Sequence, residues 1–338
     1  MFLSVQGFLS LYRGAKASFK CLLTGFSLLL LFNSLQAQSH KAYLIGLSQI
    51  TSHPALDKVR AGIIDTLREN GYDETKAAIW FENAQGSLGL TVQIAQKLVA
   101  KNPDALVAIG TPSAQALLKL SKPKAIPLVF ASISDPVSAG LVDSLEAPGP
   151  YATGTRNTPC FKDLLALIHR LRADIKTLGI IFNPSEKNAQ DLLCALKKEA
   201  QTLGFSIIEA TASNTIEVLP AAQKLASQVQ AFLLLQDNTV ASALASVLKV
   251  AKAQHLPVFA SFLEAVEGGA LLALAPDEYA IGQQSARLLI RILEGASPAH
   301  LPVEDPQALE LYVNKSVAKS LQMSLPDDLI QSAKVIYP

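Results

Sequence analysis

Short apolar runs alternate along this chain with longer stretches in which apolar side chains recur every three or four positions. "AYLIGL" (Ala42–Leu47) reads as a buried strand. Behind it, Leu56, Val59, Ile63, Ile64 and Leu67 share one helical face that ends at Gly71. The alternation continues with "IWFEN", a helix around Val92–Ala100, the strand "ALVAIG" (Ala105–Gly110), a helix after Pro112, and "PLVFAS" ending at Ser132. Continuous apolar strands separated by amphipathic helices predict an α/β fold, a parallel sheet covered on both faces.

The pattern then begins again. "LGIIFN" from Leu178 is followed by a helix carrying Leu192, Leu193 and Leu196 and ending near Gly204, and "FSIIEA" supplies the next strand. "QKL" at Gln96–Leu98 precedes "ALVAIGTPSAQALL", and "QKL" at Gln223–Leu225 precedes "AFLLLQDNTVASAL". Both halves arrive at a strand led by proline, "IPLVFAS" from Ile126 and "LPVFAS" from Leu256. Three matched elements in the same order predict two lobes of like topology, which suits a chain of 338 residues.

The first residues follow another plan. Arg13, Lys16 and Lys20 precede an apolar stretch from Cys21 to Phe32, and "NSLQA" ends at Ala37. Basic, apolar, then small is the order of a secretory signal peptide, so 1–37 is expected to be removed on export. Cys21 lies at the start of the apolar stretch, misplaced for lipid attachment at a cleavage site, and the stretch is short for a membrane span of ~20 residues. The mature protein is expected to be periplasmic and without a lipid anchor. The whole chain holds 29 Lys+Arg and 28 Asp+Glu, a net charge of +1. The leader carries three basic and no acidic side chains, so the mature chain stands at −2. That argues against a nucleic-acid footprint or an anionic-lipid surface. Cys160 and Cys194 remain, expected as two buried free thiols.

In open parallel sheets, ligands bind beyond the carboxyl ends of the strands, where helix N-termini present free N–H groups. The loops at those ends are rich in hydroxyl and amide residues: "SQITSHP" with Ser48 and Gln49, "GTPSAQ" with Thr111 and Ser113, and "SISDP" with Ser132 and Ser134. "NPSEKN" adds Asn183 and Asn188, and "QDNTVAS" adds Asp237 and Asn238. Some of these residues have structural readings: Thr111 as an N-cap before Pro112, Asp135 and Asn183-Pro184 as turns, Glu186 and Lys187 as solvated rim charges. One of Asp237 and Asn238 is expected to cap the next helix and the other to meet ligand. No phosphate loop, dinucleotide fingerprint, nucleophile elbow or metal-ligand spacing occurs, and His53 before Pro54 has no evident serine or cysteine partner. Neither a cofactor nor an enzymatic activity is expected. The competing readings are a sensing module of a regulatory system and a secreted α/β enzyme; a transcription regulator of this architecture would need a DNA-binding domain before the first strand.

"SQITSHPALDKVRAGIIDTLRENGYDE", "FENAQG", "VAIGTPSAQAL", "IPLVFASISDPVSAGLV", "LGIIFNPSEKNA", "QDNTVASAL" and the tail "LYVNKSVAKSLQMSLPDDLI" together resemble the substrate-binding proteins of ABC transporters, in the tryptophan/tyrosine transport-type group. The resemblance implies a type I periplasmic-binding-protein fold: two Rossmann-like lobes with parallel sheets, three hinge crossovers, and closure on a small solute. It implies an amino-acid-like ligand, in a group linked with aromatic amino acids, and permease and ATPase partners; a monomer is expected. One position departs: members commonly carry Ser-Asp where this chain has Ser261-Phe262.

The expected lobes are 38–155 with 279–304, and 156–278 with 305–338, with the first crossover near Tyr151–Arg156 and a helix along "DEYAIGQQSARLLIRILEG". Ser113, Ser132 and backbone N–H groups are expected to take a ligand carboxylate. Asp237 is expected to take an ammonium group, with Asp277 as its substitute. Phe262, Phe182 and Tyr279 are candidate walls or simple packing. Asp237→Ala is expected to weaken binding with the fold intact.

Overall fold

A computed structural model describes residues 42–338; the expected leader, with Cys21 and the cleavage site, lies outside them. The first lobe runs through β1 (Tyr43–Gln49), α1 (Pro54–Glu69), β2 (Ala77–Asn83), α2 (Leu88–Ala100), β3 (Ala105–Ile109), α3 (Thr111–Ser121), β4 (Leu128–Ile133) and β5 (Ala152–Arg156). Its five strands are all parallel, in the order β2-β1-β3-β4-β5. β3 is buried along its whole length because helices cover both faces, which is why it reads as an unbroken apolar run.

The second lobe repeats that plan. It contains α4 (Phe161–Leu171), β6 (Thr177–Phe182), α5 (Lys187–Thr202), β7 (Ser206–Thr211), α6 (Thr215–Ala226), β8 (Ala231–Leu234), α7 (Asn238–Ser242), α8 (Leu244–Ala253), β9 (Val258–Ala260), α9 (Glu264–Gly268) and β10 (Leu272–Pro276). After α10 (Glu278–Leu293) come β11 (Leu309–Asn314), α11 (Lys315–Ser320), α12 (Asp327–Ser332) and β12 (Val335–Tyr337). The second sheet has the order β12-β11-β10-β9-β8-β6-β7. Its part β7-β6-β8-β9-β10 repeats the first sheet, and the two proline-led runs of the sequence are β4 and β9. The tail departs from a purely parallel sheet, since β11 pairs antiparallel to β10.

Tyr151–Arg156 differs from expectation. "ATGTR" is the edge strand β5, paired in parallel with β4, and its threonines Thr153 and Thr155 are fully buried. The chain crosses between lobes just beyond it, at 157–160, and again at 276–278 and 305–308. Before the third crossing, Glu304 runs alongside β5, donating its N–H to the Gly154 carbonyl and accepting from the Arg156 N–H.

The second crossing returns α10 to the first lobe, where Ile281, Ala286, Leu289 and Ile292 are buried, the last three in the core of that lobe. It crosses α1 at backbone distance. A Cβ on Gly62 would stand 2.2 Å from the Tyr279 carbonyl oxygen, and one on Gly282 would stand 2.2 Å from that of Val59. Only glycine at both positions permits this approach. Both cysteines are free, but neither is buried: Cys160 is half-buried and Cys194 is exposed. Cys194 points away from the face of α5 that Leu192, Leu193 and Leu196 bury.

Candidate functional site

The carboxyl ends of the two sheets face each other across a cavity. From the first lobe it is lined by His53, Ala55 and Leu56 at the start of α1, Gly110 and Thr111 before α3, and Ser132 and Ser134 at the end of β4. The second lobe supplies Asn188 from α5, Gln236, Asp237, Asn238 and Ala241 around α7, and Phe262 after β9. Asn157 in the first crossover and Glu278 at the start of α10 close the hinge side.

The lobes are in contact across this cavity. Lys187 Nζ donates to Ser138 Oγ at 2.8 Å, and on the hinge side Gln236 Nε2 donates to Asn157 Oδ1 of the first crossover at 2.8 Å. His53 Nε2 lies 3.5 Å from Asn238 Oδ1, and the hydroxyls of Thr51 and Ser242 are 3.4 Å apart. Burial lowers the His53 pKa to about 4, against the opposing pull of Asn238 and Asp57, so the ring is neutral at physiological pH.

Ser132 reaches the cavity through a break in regular structure. The pairing of β4 with β5 shifts register between Phe130 and Ile133, and Ser132 has φ +59°, the left-handed region that a non-glycine residue rarely adopts. Such a bulge re-aims a side chain, and strained backbone of this kind persists where the surroundings over-determine it. Here Ser132 Oγ donates to Glu278 Oε2 at 3.0 Å, and Asn157 Nδ2 donates to Glu278 Oε1 at 2.6 Å and to Ser132 Oγ at 2.9 Å.

Glu278 is therefore a buried carboxyl group held by Ser132 from the first lobe and Asn157 from the crossover. Burial, with the charges of Glu264 and Asp277, pushes its pKa up to about 8, against the opposing hydrogen bonds from Ser132 and Asn157. Each oxygen keeps further acceptor capacity. Two more cavity-lining acceptors, Asn188 Oδ1 and Gln236 Oε1, are buried with no hydrogen-bond partner among the described residues. The cavity thus offers a surplus of acceptors at one end.

Of the residues singled out in the sequence, Thr111, Ser132, Ser134, Asn188, Asp237, Asn238 and Phe262 line the cavity. Their roles differ in part from expectation. Gly110 rather than Thr111 is the N-cap of α3, and Thr111 opens the helix one residue early. Asp237, fully buried, caps α7 by accepting from the Val240 N–H at 2.9 Å, and its other oxygen accepts from the Asn183 N–H at 2.6 Å. Both oxygens accept from backbone, so Asp237→Ala would orphan two buried donors and is expected to cost stability as well as any binding. Burial, and then the charge of Glu186, raise its pKa to about 7.

Ser48, Gln49, Ser113, Asn183 and Ser261 stand one layer behind the cavity wall. Ser48 Oγ donates to Ser113 Oγ at 3.2 Å with both residues fully buried, so Ser113 is a packing hydroxyl. Gln49 holds the loop after β1 through Thr51, Asp57 and Arg60. Asn183 donates to Thr239 Oγ1 at 2.8 Å, and Ser261 Oγ donates to the Leu234 carbonyl at 3.3 Å.

Asp277 is displaced altogether. It caps α10 through the Tyr279 N–H and faces an outer depression with Gln284, Pro306 and Glu310, while its neighbour Glu278 points inward. Glu186, expected at the solvated rim, is buried and accepts from the backbone and side chains of Asn238 and Thr239. Neither Phe182 nor Tyr279 lines the cavity: the first packs against the core of its own lobe and the second donates its hydroxyl to Asp65. His53, Asn157, Gln236 and Glu278 are the site residues that sequence reasoning missed.

Residues 44–336 match the family model of ABC transporter substrate binding proteins. A tyrosine-binding protein of Clostridioides difficile is 35% identical over 289 residues, 85% of this chain and 83% of the relative. An ABC domain from Streptococcus pneumonia solved in complex with L-Trp is 30% identical, covers 88% of this chain and 100% of its own, and superposes with a TM-score of 0.85. A ligand-free, open substrate-binding protein from Clostridium difficile is 33% identical, covers 88% and 99%, and reaches only 0.66. This structure, whose lobes touch across the cavity, superposes better on the relative solved with L-Trp than on the ligand-free, open one. Two like lobes shut on a cavity at the carboxyl ends of their sheets, in a chain matched along nearly all its described length, belong to an ABC transporter substrate-binding protein.

Proposed function

We propose that the chain captures a free aromatic amino acid between its lobes and presents it to an ABC importer. The observation that carries this reading is the acceptor surplus: Asn188 Oδ1 and Gln236 Oε1 from the second lobe and Glu278 from the hinge side all belong to residues lining the cavity. A ligand must therefore bring donors, and an ammonium group supplies three with a charge that Glu278 can pair. The ligand carboxylate goes to the opposite wall, at the first turn of α3, where Thr111 and Ser134 lie and the helix dipole favours an anion. Leu56, Ala241 and Phe262 offer the side chain an apolar surface. Asp237 serves as a cap that shapes this wall, and Ser48, Gln49, Ser113, Asn183 and Ser261 support it from behind. Asn238, near His53 across the cleft, belongs to the closing contacts.

The names of two relatives, one tyrosine-binding and one solved with L-Trp, support the ligand class. The lobes 38–155 with 279–304 and 156–278 with 305–338 act as jaws. Residues 1–37 direct export to the periplasm, where the protein works as a monomer with a permease and an ATPase and releases its solute unchanged.

Calorimetry tests this reading with L-tyrosine and L-tryptophan beside tyramine, which lacks the carboxylate, and 3-(4-hydroxyphenyl)propionate, which lacks the ammonium. At least one amino acid should bind, both truncated analogues should lose most affinity, and Glu278→Gln should weaken binding by about 2–5 kcal/mol. Binding of neither amino acid, or unchanged affinity in Glu278→Gln, overturns it.

A further inference from the structure

Lys58 on α1 and Glu264 at the start of α9 stand on opposite lobes, and their side chains meet at 3.1 Å. Each is a short step from the cavity wall, Lys58 from Leu56 and Glu264 from Phe262. The partners are unequal: the Lys58 side chain is 42% exposed, the Glu264 side chain 2%. Neither Glu264 oxygen accepts a hydrogen bond from the described residues, so the ion pair with Lys58 is what balances its charge there. A buried carboxylate in that position is costly unless a cation stands beside it. Partial burial pulls the Lys58 pKa down, but the facing charge of Glu264 outweighs it and the pKa is raised.

We propose that Lys58 and Glu264 form an inter-lobe latch, an ion pair made only when α1 and α9 are brought together, which holds the closed state without touching the ligand and screens Glu264 from Glu278. The first half of this inference stands on the pair alone; the second rests on Glu278 as the ammonium anchor. The groups that face Glu278 are Glu264 on α9 and Asp277 beside it on α10, with Asp237 and His53 across the cavity and Ser132 and Asn157 as neutral donors. With Lys58 in place, the negative charge of Glu264 is partly compensated, and Glu278 ionises more readily beside a cationic group. Lys58 is thus a positioning residue: it acts on closure and on the anchor through Glu264.

The unequal burial dictates an unequal mutant cycle. Lys58→Met leaves a buried carboxylate unpaired in the closed state, whereas Glu264→Gln leaves only a half-exposed lysine that water can solvate. In calorimetry with L-tyrosine and L-tryptophan, Lys58→Met should weaken binding about tenfold, mostly through faster release. The pH at which affinity levels off should rise in the same variant. Glu264→Gln, which loses the pair but leaves no buried charge, should weaken binding less than Lys58→Met, and in its background Lys58→Met should have no effect. An equal loss in both backgrounds, or no loss in either, overturns the latch. Glu278→Gln run in parallel separates the two readings: if it binds as well as wild type while the cycle holds, the ammonium assignment fails and the latch stands. Small-angle scattering of the ligand-free protein at low salt decides the latch even if neither amino acid binds. Wild type should be more compact than Lys58→Met, and that difference should vanish in the Glu264→Gln background; equal radii for all four proteins overturn it.

Discussion

Glu278, the proposed ammonium anchor, carries a stability cost that depends on pH. Its pKa of about 8 lies above the ordinary value of 4.5, so between those limits the folded protein holds a proton that the unfolded chain has released. Stability from this group therefore falls as pH rises through that window, because the folded state must ionise a buried acid or keep its proton against the solution. Glu278→Gln removes the conflict. The ligand-free variant should melt above wild type at pH 8.5, and the gap should shrink towards pH 5, where both side chains are neutral in the folded state; parallel melting curves across that range would contradict the assignment. His53 works in the opposite direction. Its pKa, lowered to about 4 by burial, means that acidification through 6.5 protonates the unfolded chain first and costs stability down to about pH 4.

Among the elements, α10 links hinge and site. It starts at the cavity with Glu278, crosses α1 at Gly62 and Gly282, and buries Ala286, Leu289 and Ile292 in the first core. The glycine crossing sets how far the helix can sink, and so where its first residue stands. An added methyl at either glycine would meet a backbone oxygen at 2.2 Å, and neither helix can yield without moving the core behind it. Gly62→Ala and Gly282→Ala should each destabilise the protein by about 1–3 kcal/mol in denaturant titration, and more if both are made. Ligand affinity should fall as well, since the shift carries Glu278 away from Ser132 and Asn157; an unperturbed affinity would mean that the crossing does not position the anchor.

For the whole molecule, polar contacts join the lobes, among them Lys187 with Ser138, Thr51 with Ser242, and Lys58 with Glu264. Interfaces of that kind permit relative motion, and a ligand closes them only by binding the closed state better than the open one. The structure superposes with a score of 0.85 on a ligand-bound relative and 0.66 on an open one. Adding saturating L-tyrosine or L-tryptophan to a ligand-free sample should therefore reduce the radius of gyration in small-angle scattering, and the melting temperature should rise with ligand concentration. A ligand that binds without compaction would break the link between closure and capture.

Two α/β lobes of like topology were legible in the sequence because the signals are local. Strand runs, helical periodicity and the paired "LVFAS" and "PVFAS" exits depend only on neighbours in the chain, and they locate the loops that meet ligand. What those loops do was decided by tertiary structure. Asp237 and Asn238 could be read as one cap and one contact, but only the arrival of the Asn183 N–H at the second oxygen of Asp237 commits its carboxylate to the backbone. Asp277 and Glu278 are adjacent acids, and which of them faces inward depends on the rotation of α10 against α1. Tyr151–Arg156 becomes a strand because β4 lies beside it. Lys58 and Glu264 are separated by most of the chain, and no local pattern marks them as partners. Apolar periodicity reports which face of an element is buried; the partner of a polar group is set by elements remote in sequence, and only folding brings those together.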